Sequence, residues 1–311
     1  MRKTYEQAIY DLMGKNEKVV ALVADSASGK YEDIEKDYPD RIFNFGIAEN
    51  NMVAAGCALA KEGWIPVLYA LNNFLVYRAY EFIRNDACLQ KRNIKFVGLG
   101  CGVVANTLGP THHTTEDIAA LRVLPDLTLL SPASPKEIPV MLEKAVQYEG
   151  PVYIRLGKAF EKEIYEDKSP FEIGKANTIK IGTDITIFST GSIIADALEA
   201  ANKAQDSGIS AEVINISTIK PLDADAILNS AQKTKNVLTV EEHNIIGGLG
   251  GAVAEVLCGK IDLKSFKIMG LHDTFCNDYG WHQDLKRMYK LSPEDIYDQI
   301  IKQIRGEKTI A

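Results

Sequence analysis

The chain has 311 residues, of which 46% are hydrophobic and 25% charged, and its net charge of -7 argues against a nucleic-acid-binding surface. No apolar run reaches the length of a membrane span, and the N-terminal residues lack the apolar core of a signal peptide. The five scattered cysteines contain no Cys-x-x-Cys pair, so they predict neither disulfides nor a zinc site and favour a reduced, cytoplasmic compartment.

In the first half of the chain, short apolar runs alternate with helical patterns. The runs predict buried strands at residues 18–24, 64–69, 94–99, 127–130 and 151–154. The helical patterns cover residues 4–13, 74–88 and 135–148. A further apolar run predicts a strand at 42–47, and small residues predict a closely packed helix at 52–60. This alternation is typical of a doubly wound α/β domain.

A charged, irregular stretch at residues 160–177 interrupts the pattern and predicts an interdomain linker. A second alternating unit follows, with predicted strands at 185–188, 211–216 and 236–240 and predicted helices at 195–207, 223–231 and 251–257. The sequence therefore predicts an α/β protein with two doubly wound domains, residues 1–160 and residues 181–311, joined by a linker at 161–180.

One carboxylate, Glu49, stands between the predicted strand at 42–47 and the predicted helix at 52–60. Glutamate is a poor helix N-cap compared with Ser, Thr, Asp or Asn, which favours a chemical role. A carboxyl group held between burial and a helix N-terminus can exchange a proton with a ligand nitrogen. The alternative is a structural glutamate paired with Arg41 or Arg84, and the segment alone leaves both readings open.

A second segment places two imidazoles, His112 and His113, between a Gly-Pro turn and a predicted helix capped by Thr114 or Thr115. Imidazoles before a helix start are suited to anionic or carbonyl ligands. No carboxylate–histidine spacing for a metal surrounds them, so no metal site is predicted. The alternative is a polar turn over the core.

Two further patterns are ambiguous on their own. Phe74 and Tyr77 fall on one helix face, where they could stack on a flat heterocycle or belong to the core. Arg155 ends a buried strand, where its guanidinium suits a carboxylate, phosphate or sulfonate, or an ordinary buried ion pair.

Taken together, these segments resemble, in order and nearly from end to end, the C-terminal section of a transketolase. That section comprises the pyrimidine-binding domain, a thiamine diphosphate-binding fold, followed by the transketolase C-terminal domain. The matching segments are Gly-Ile-Ala-Glu-Asn-Asn-Met at 46–52, Arg-Ala-Tyr-Glu-Phe-Ile-Arg at 78–84, Gly-Pro-Thr-His-His-Thr-Thr-Glu-Asp-Ile-Ala at 109–119, Pro-Val-Tyr-Ile-Arg at 151–155, Thr-Ile-Lys-Pro-Leu-Asp at 218–223 and the glycine-rich stretch at 240–251.

The resemblance implies ketol transfer by thiamine diphosphate, with Glu49 activating the cofactor through N1′ of its aminopyrimidine. His112 would act on a substrate oxygen, so Glu49 and His112 are the expected catalytic residues. The other positions expected around the cofactor are Asp25, Ser26, Leu71, Phe74 and Tyr77. The positions expected around the sugar are Arg2, Ser28, Gly100, Leu108, His112, His113 and Arg155, with the two arginines holding its anionic group.

Several of these positions depart from the family pattern. Leu71 stands where Phe usually stacks on the pyrimidine, and Leu108 replaces an Asp that bonds a substrate hydroxyl. Gly100 replaces a phosphate-binding His, Gly29 replaces a Ser, and His113 replaces a Gln. A site built for a hydroxyl rejects analogues that lack it, so these changes predict an atypical sugar, such as a sulfonate, branched or deoxy sugar phosphate.

The chain lacks the Gly-Asp-Gly motif with which thiamine diphosphate enzymes hold Mg²⁺. The resemblance therefore implies an N-terminal partner subunit that carries the diphosphate-binding domain and most of the Mg²⁺ ligands. The expected assembly is a homodimer of this chain within a heterotetramer. Two alternatives stay open: the β-subunit of a 2-oxo acid dehydrogenase E1, and a non-catalytic assembly or regulatory subunit.

Overall fold

The computed structural model describes residues 1–25, 30–157, 161–167 and 169–306. The strands in this part of the chain are β1 Val19–Val23, β2 Ile42–Asn44, β3 Ile65–Leu71, β4 Lys95–Leu99, β5 Thr128–Leu130, β6 Val152–Leu156, β7 Asn177–Lys180, β8 Ile185–Ser189, β9 Ala211–Asn215, β10 Thr218–Lys220, β11 Asn236–Asn244 and β12 Ser265–Leu271. The α-helices are α1 Arg2–Lys15, α2 Lys30–Asp37, α3 Glu49–Lys61, α4 Tyr80–Phe82, α5 Asp117–Arg122, α6 Glu137–Gln147, α7 Ile194–Asp206, α8 Ala224–Thr234, α9 Leu249–Leu257, α10 His282–Met288 and α11 Pro293–Arg305. Among the described residues, none of the helices has the length and hydropathy needed to cross a membrane.

The strands form two sheets whose neighbouring strands run mostly parallel. The first has seven strands in the order β10-β5-β6-β4-β3-β1-β2, and the second has five in the order β12-β11-β8-β9-β7. Apolar clusters cover both faces of each sheet. The predicted fold class, α/β with two doubly wound units, is confirmed. In the first sheet, β1 connects to β2 on one side, whereas its other neighbour, β3, connects to β4 on the opposite side. The two connections therefore leave in opposite directions and open a crevice at the carboxyl ends of β1 and β3.

The sheets do not divide the chain at one simple boundary. Strand β7 lies within the predicted linker at 161–180, yet it pairs antiparallel with β9 of the second sheet. Strand β10 belongs to the second half of the chain, yet it pairs antiparallel with β5 at the edge of the first sheet, with Thr218 opposite Leu130. The domain limits at 160 and 181 therefore stay a prediction.

Two predicted elements near Glu49 are different in the structure. The strand predicted at 42–47 ends at Asn44, because it is an edge strand whose Phe43 is 44% exposed, and because Gly46 turns the chain at φ +60. The helix predicted at 52–60 begins three residues earlier, at Glu49. Glu49 is thus the first residue of α3 instead of a linker between two elements.

The segment predicted as one helix at 74–88 is broken. It forms a π-helical turn at Phe74–Arg78, the short α4, and a second π-helical segment at Ile83–Cys88. Such wide turns are found often at functional sites. Here the first one carries both predicted aromatic residues.

Helix α3 lies close to the sheet because its contact residues are small. A Cβ atom on Gly56 would lie 3.0 Å from Cδ1 of both Leu68 and Ile94, so glycine lets the helix approach β3 and β4. Since α3 follows β2 through residues 45–48, its first turn lies near the carboxyl edge of the parallel strands. Glu49 is thereby fixed at the edge of the sheet where ligands of such folds bind.

A buried polar network crosses this edge. Asp117, the first residue of α5, accepts hydrogen bonds from Arg155 Nε at 2.9 Å, from Tyr153 at 2.7 Å and from Asn72 at 2.9 Å. Asn72 follows β3 directly, and Gly98 on β4 has no Cβ because that atom would lie 1.9 Å from the Asn72 side chain. Although burial opposes ionisation, Arg155 lowers the pKa of Asp117. The network joins the ends of β3 and β6 to the start of α5.

Of the two roles left open for Arg155, the structure shows the buried ion pair. Arg155 is 5% exposed, and its Nη2 donates to the carbonyl oxygens of Thr114 at 3.3 Å and Glu242 at 3.0 Å. Glu242 belongs to β11 of the second sheet, so Arg155 also links the two sheets. These internal groups bind Nε and Nη2 of Arg155, and its predicted contact with a sugar anion stays a prediction.

Glu242 makes a second link between the two halves of the chain. Its carboxylate accepts the backbone N–H of Val103 at 2.6 Å and lies 2.9 Å from Nε2 of His282. Burial would raise its pKa, but the His282 imidazole and its hydrogen bond outweigh burial and lower the pKa of Glu242 to about 2. The loop after β4 is therefore bound by a buried, charged residue of the second domain.

The ion pair of Asp117 and Arg155 gives a stability prediction. We expect Arg155→Met to lower the free energy of unfolding by about 3–5 kcal/mol, because it leaves the Asp117 carboxylate buried without its partner. Arg287→Met is the matched control, since Arg287 pairs with Asp284 at the surface and is 67% exposed. The control substitution should lower the free energy of unfolding by less than about 1 kcal/mol. Urea unfolding measures both, and an unchanged midpoint for Arg155→Met would contradict the structural role.

Glu242 gives a pH prediction. Its folded-state pKa lies below the usual value of 4.5, so its contribution to stability is complete above pH 4.5 and is lost as the pH falls towards 2. The loss amounts to about 3 kcal/mol at most. Urea unfolding between pH 6 and pH 3 should show a shallower decline for Glu242→Gln than for the unchanged protein. Glu255→Gln, at a 68% exposed side chain, is the control that should keep the original slope. Equal slopes for all three proteins would rule the assignment out.

Candidate active site

Glu49 is 4% exposed and paired, but not with either predicted arginine. Its Oε2 accepts a hydrogen bond from Arg78 Nη1 at 3.0 Å. Arg41 instead donates to three backbone carbonyls around the start of β1, and Arg84 donates to Asn85. The alternative that paired Glu49 with Arg41 or Arg84 is therefore wrong. The observed partner is 46% exposed, so water competes for this ion pair.

Ring contacts continue from Arg78 to the histidine turn. The Arg78 guanidinium carbon lies 4.2 Å from the centre of the Phe74 ring, within the range of a cation–π contact. The Phe74 ring meets the His112 ring edge-on, with centroids 5.3 Å apart and planes at 71°. A continuous series of contacts thus brings together Glu49, Phe74 and His112, three residues predicted from separate segments.

Hydrogen bonds hold the π-helical turn against the same histidine segment. The Tyr77 hydroxyl donates to Glu116 Oε2 at 3.0 Å, and the Asn73 amide donates to the Thr111 carbonyl. Phe74 is half-buried and Tyr77 is 39% exposed, so neither ring is sealed in the core. Both rings are accessible to a flat ligand, as the sequence pattern allowed.

The two histidines have different surroundings. The carbonyl of Gly109 accepts the backbone N–H groups of both His112 and His113, at 2.9 and 3.2 Å, which closes a tight turn. His112 is half-buried and its Nδ1 lies 3.0 Å from the Thr111 hydroxyl. His113 is 4% exposed and its Nδ1 lies 3.2 Å from the carbonyl oxygen of Cys276. His113 therefore contacts the second domain, and its predicted role at the sugar stays a prediction.

The helix after these histidines begins later than predicted. Helix α5 starts at Asp117, and the residue before it, Glu116, stands at the N-cap position. Thr115 donates its hydroxyl to Glu116 Oε1 at 2.6 Å instead of capping the helix. The predicted cap at Thr114 or Thr115 is wrong, because the polar side chains here bind one another and Tyr77.

The remaining predicted site residues lie around the same edge. Asp25 follows β1 and is exposed, with its backbone N–H bound to the Gly46 carbonyl at 3.1 Å. Leu71 ends β3, and its Cδ2 lies 4.0 Å from the place of a Cβ on Gly100, which is buried at φ +89. Leu108 is 46% exposed in a short 3-10 turn.

Three predicted positions remain. Arg2 is half-buried at the start of α1 and binds Glu6 through Nε at 2.7 Å. Ser26 and Ser28 lie outside the described residues. The roles assigned to these three residues stay predictions.

Arg78 and Asp117 are the residues that sequence reasoning missed. Arg78 lies four positions after Phe74, a spacing that places them on one helix face, so the pattern contained the signal. Nothing in the sequence around Asp117 indicates its pairing with the distant Arg155. Among the described residues, no group of three or more His, Cys, Asp or Glu is arranged to hold a metal ion.

Comparison with known families identifies both domains. Residues 1–160 match the transketolase pyrimidine-binding domain, and residues 174–296 match the transketolase C-terminal domain. The chain is 36% identical over 311 residues to a putative transketolase C-terminal section of Methanocaldococcus jannaschii, covering 99% of this chain and 97% of that protein. It is 33% identical over 297 residues to a 6-deoxy-6-sulfo-D-fructose transketolase subunit of Clostridium sp. strain MSTE9, covering 95% and 92%.

A solved structure supports the same conclusion. It is described as a split gene transketolase, an inactive β4 tetramer, and it superposes with a TM-score of 0.89 at 35% identity, covering 99% of this chain and 98% of that one. Members of this family use thiamine diphosphate. With both domains matched in order and relatives similar over nearly the whole length, the chain belongs to the transketolase family and represents the pyrimidine-binding and C-terminal section of its split members.

Proposed function

We propose that this chain is the C-terminal subunit of a two-component, thiamine diphosphate-dependent transketolase that transfers a two-carbon ketol unit from an anionic ketose to an aldose. The observation that carries this proposal is the buried Glu49 at the head of α3, joined through Arg78 and Phe74 to His112. A 2-oxo acid dehydrogenase β-subunit and a non-catalytic subunit are disfavoured by the split transketolase relatives.

The residues present fit the aminopyrimidine half of the cofactor. Glu49 supplies a buried carboxylate, Phe74 and Tyr77 supply accessible aromatic rings, and Leu71 supplies an apolar wall at the end of β3. Asp25 and Ser26 complete the proposed cofactor-binding set. When bound, thiamine diphosphate supplies the carbon nucleophile and the electron sink for ketol transfer.

Glu49 would hold and exchange the proton that the pyrimidine nitrogen N1′ requires. Its Oε2 is taken by Arg78, so Oε1 is the oxygen that we assign to this exchange. Arg78, whose guanidinium is half-exposed, keeps the carboxylate oriented. His112 would bind and protonate a sugar oxygen.

We further propose an N-terminal partner subunit with the diphosphate-binding domain and most of the Mg²⁺ ligands. The proposed assembly is a cytoplasmic heterotetramer built around a homodimer of this chain. The related split gene protein is described as inactive in its β4 form. We expect this chain alone to be inactive as well, because half of the proposed cofactor site is on another polypeptide.

The sugar-binding residues favour an atypical donor. Leu108 and Gly100 offer no polar side chain, while Arg2, Ser28 and His112 are the proposed polar ligands. With Arg155 engaged by Asp117, Arg2 is the proposed arginine for the anionic group. A relative is named for a sulfonated deoxy sugar, which accords with this reading. We propose a sulfonated, branched or deoxy ketose.

Replacing Glu49 tests the catalytic assignment. In the complex reconstituted with the N-terminal subunit, Glu49→Gln should lower kcat by at least about 100-fold, because the amide cannot exchange the proton. Glu62→Gln, an exposed glutamate just beyond α3, is the control that should leave kcat unchanged. Ketol transfer in a coupled assay measures both. Full activity of Glu49→Gln would favour the non-catalytic subunit instead.

A donor panel tests the substrate class. The reconstituted complex should transfer a two-carbon unit from sulfonated, branched or deoxy ketoses with a higher kcat/KM than from xylulose 5-phosphate. The physical reason is the apolar Leu108 in place of a hydroxyl-binding residue. The same complex is also assayed for reduction of a dye in the presence of a 2-oxo acid, which tests the dehydrogenase alternative. Xylulose 5-phosphate as the best donor by a wide margin would overturn this substrate assignment.

A further inference from the structure

A loop of the second domain contacts the histidine turn of the first. It covers residues 272–281, between β12 and α10, and we refer to it as the β12–α10 loop. The Tyr279 ring lies over Gly109, and the carbonyl of Cys276 lies 3.2 Å from Nδ1 of His113. The loop thus touches the turn at both ends of the segment that presents His112.

The contact of Tyr279 with Gly109 depends on the absence of a side chain. A Cβ atom on Gly109 would lie 2.4 Å from Cε1 and 2.9 Å from the hydroxyl oxygen of Tyr279. Gly109 also has φ +77, a conformation that favours glycine. The glycine therefore both closes the histidine turn and leaves the space that the tyrosine ring fills.

Tyr279 keeps an open face despite this contact. Gly109 is buried beneath the ring, whereas Tyr279 itself is 65% exposed. The residue next to Gly109, Leu108, is 46% exposed and presents the side chain that departs from the family pattern. An accessible aromatic ring thus packs on the glycine that directly follows an accessible leucine in the chain, three residues before His112.

We propose that Tyr279, from the C-terminal domain, forms one wall of the sugar-binding site and determines donor specificity together with Leu108. This inference rests on the proposed transketolase function. A tyrosine offers an apolar ring for the C–H face of a sugar and a hydroxyl that can donate or accept one hydrogen bond. Beside Leu108, that combination favours ketoses with a deoxy or branched carbon over ketoses hydroxylated at every carbon.

Substitutions at two positions of the β12–α10 loop test this assignment. The test uses the complex reconstituted with the N-terminal subunit and two donors, a deoxy sulfonated ketose and xylulose 5-phosphate. Tyr279→Ala should change the ratio of their kcat/KM values by at least about tenfold, chiefly through KM of the preferred donor. Tyr279→Phe should retain most of the preference, since it keeps the ring. Phe275→Ala is the matched control, because Phe275 belongs to the same loop and is also 65% exposed.

Further measurements distinguish a change in donor specificity from a loss of folding or of cofactor binding. The temperature of unfolding and thiamine diphosphate affinity should be the same for the unchanged and Tyr279→Ala complexes. Equal losses for both donors, or the same change of ratio in Phe275→Ala, would overturn the role of Tyr279 while leaving the transketolase function intact. Absence of ketol transfer from any donor by the unchanged complex would instead overturn the proposed function and this inference together.

Discussion

The geometry of the site depends on the buried ion pair between Asp117 and Arg155. Both charges are removed from water, so the pair is tolerable only because its remaining hydrogen-bonding groups have partners. Those partners are Asn72 after β3, Tyr153 on β6, and the carbonyls of Thr114 and Glu242. Each of these hydrogen bonds involves an element that carries site residues. The network therefore positions Leu71 and Phe74 on one side and the histidine turn on the other.

The ion pair of Glu49 and Arg78, which faces the proposed cofactor, is more exposed to water than the pair of Asp117 and Arg155. Glu49 is buried, but Arg78 is half-exposed and also packs on Phe74. An exposed partner contributes little to folding stability. The arrangement therefore combines a buried carboxylate with a partner that water can reach, which suits a group proposed to exchange a proton with a ligand nitrogen.

The sequence predicts central parallel strands such as β1, β4, β6, β8 and β9 well, because each is a short run buried on both faces. The sequence does not predict the extent of elements that depend on tertiary contacts. Strand β10 has three residues and exists because β5 offers an open edge, and the strand at 42–47 is cut short by Gly46. Helix α11 was missed although Ser292 and Asp295 form a capping box, a local signal that could have been read.

The candidate site shows the same division. Glu49, Phe74 and His112 are visible because unusual residue types stand beside clear element boundaries. The observed partners of Arg155 and His113, which are Asp117 and the Cys276 carbonyl, could not be predicted because they are distant in sequence. Tyr279 gives no signal in its own segment, because its neighbour Gly109 belongs to the other domain. Resemblance supplied chemical roles, but only the folded chain shows which side chains are already engaged.

Strand β10 has a consequence for how this protein reaches its folded state. The β5 edge of the first sheet is completed by a strand that directly follows β9 of the second sheet in the chain, so this edge stays unpaired until synthesis has passed into the second domain. Until Thr218–Lys220 arrives, β5 is an open edge able to pair with another chain. A first domain separated from the second would therefore need a replacement for that edge strand.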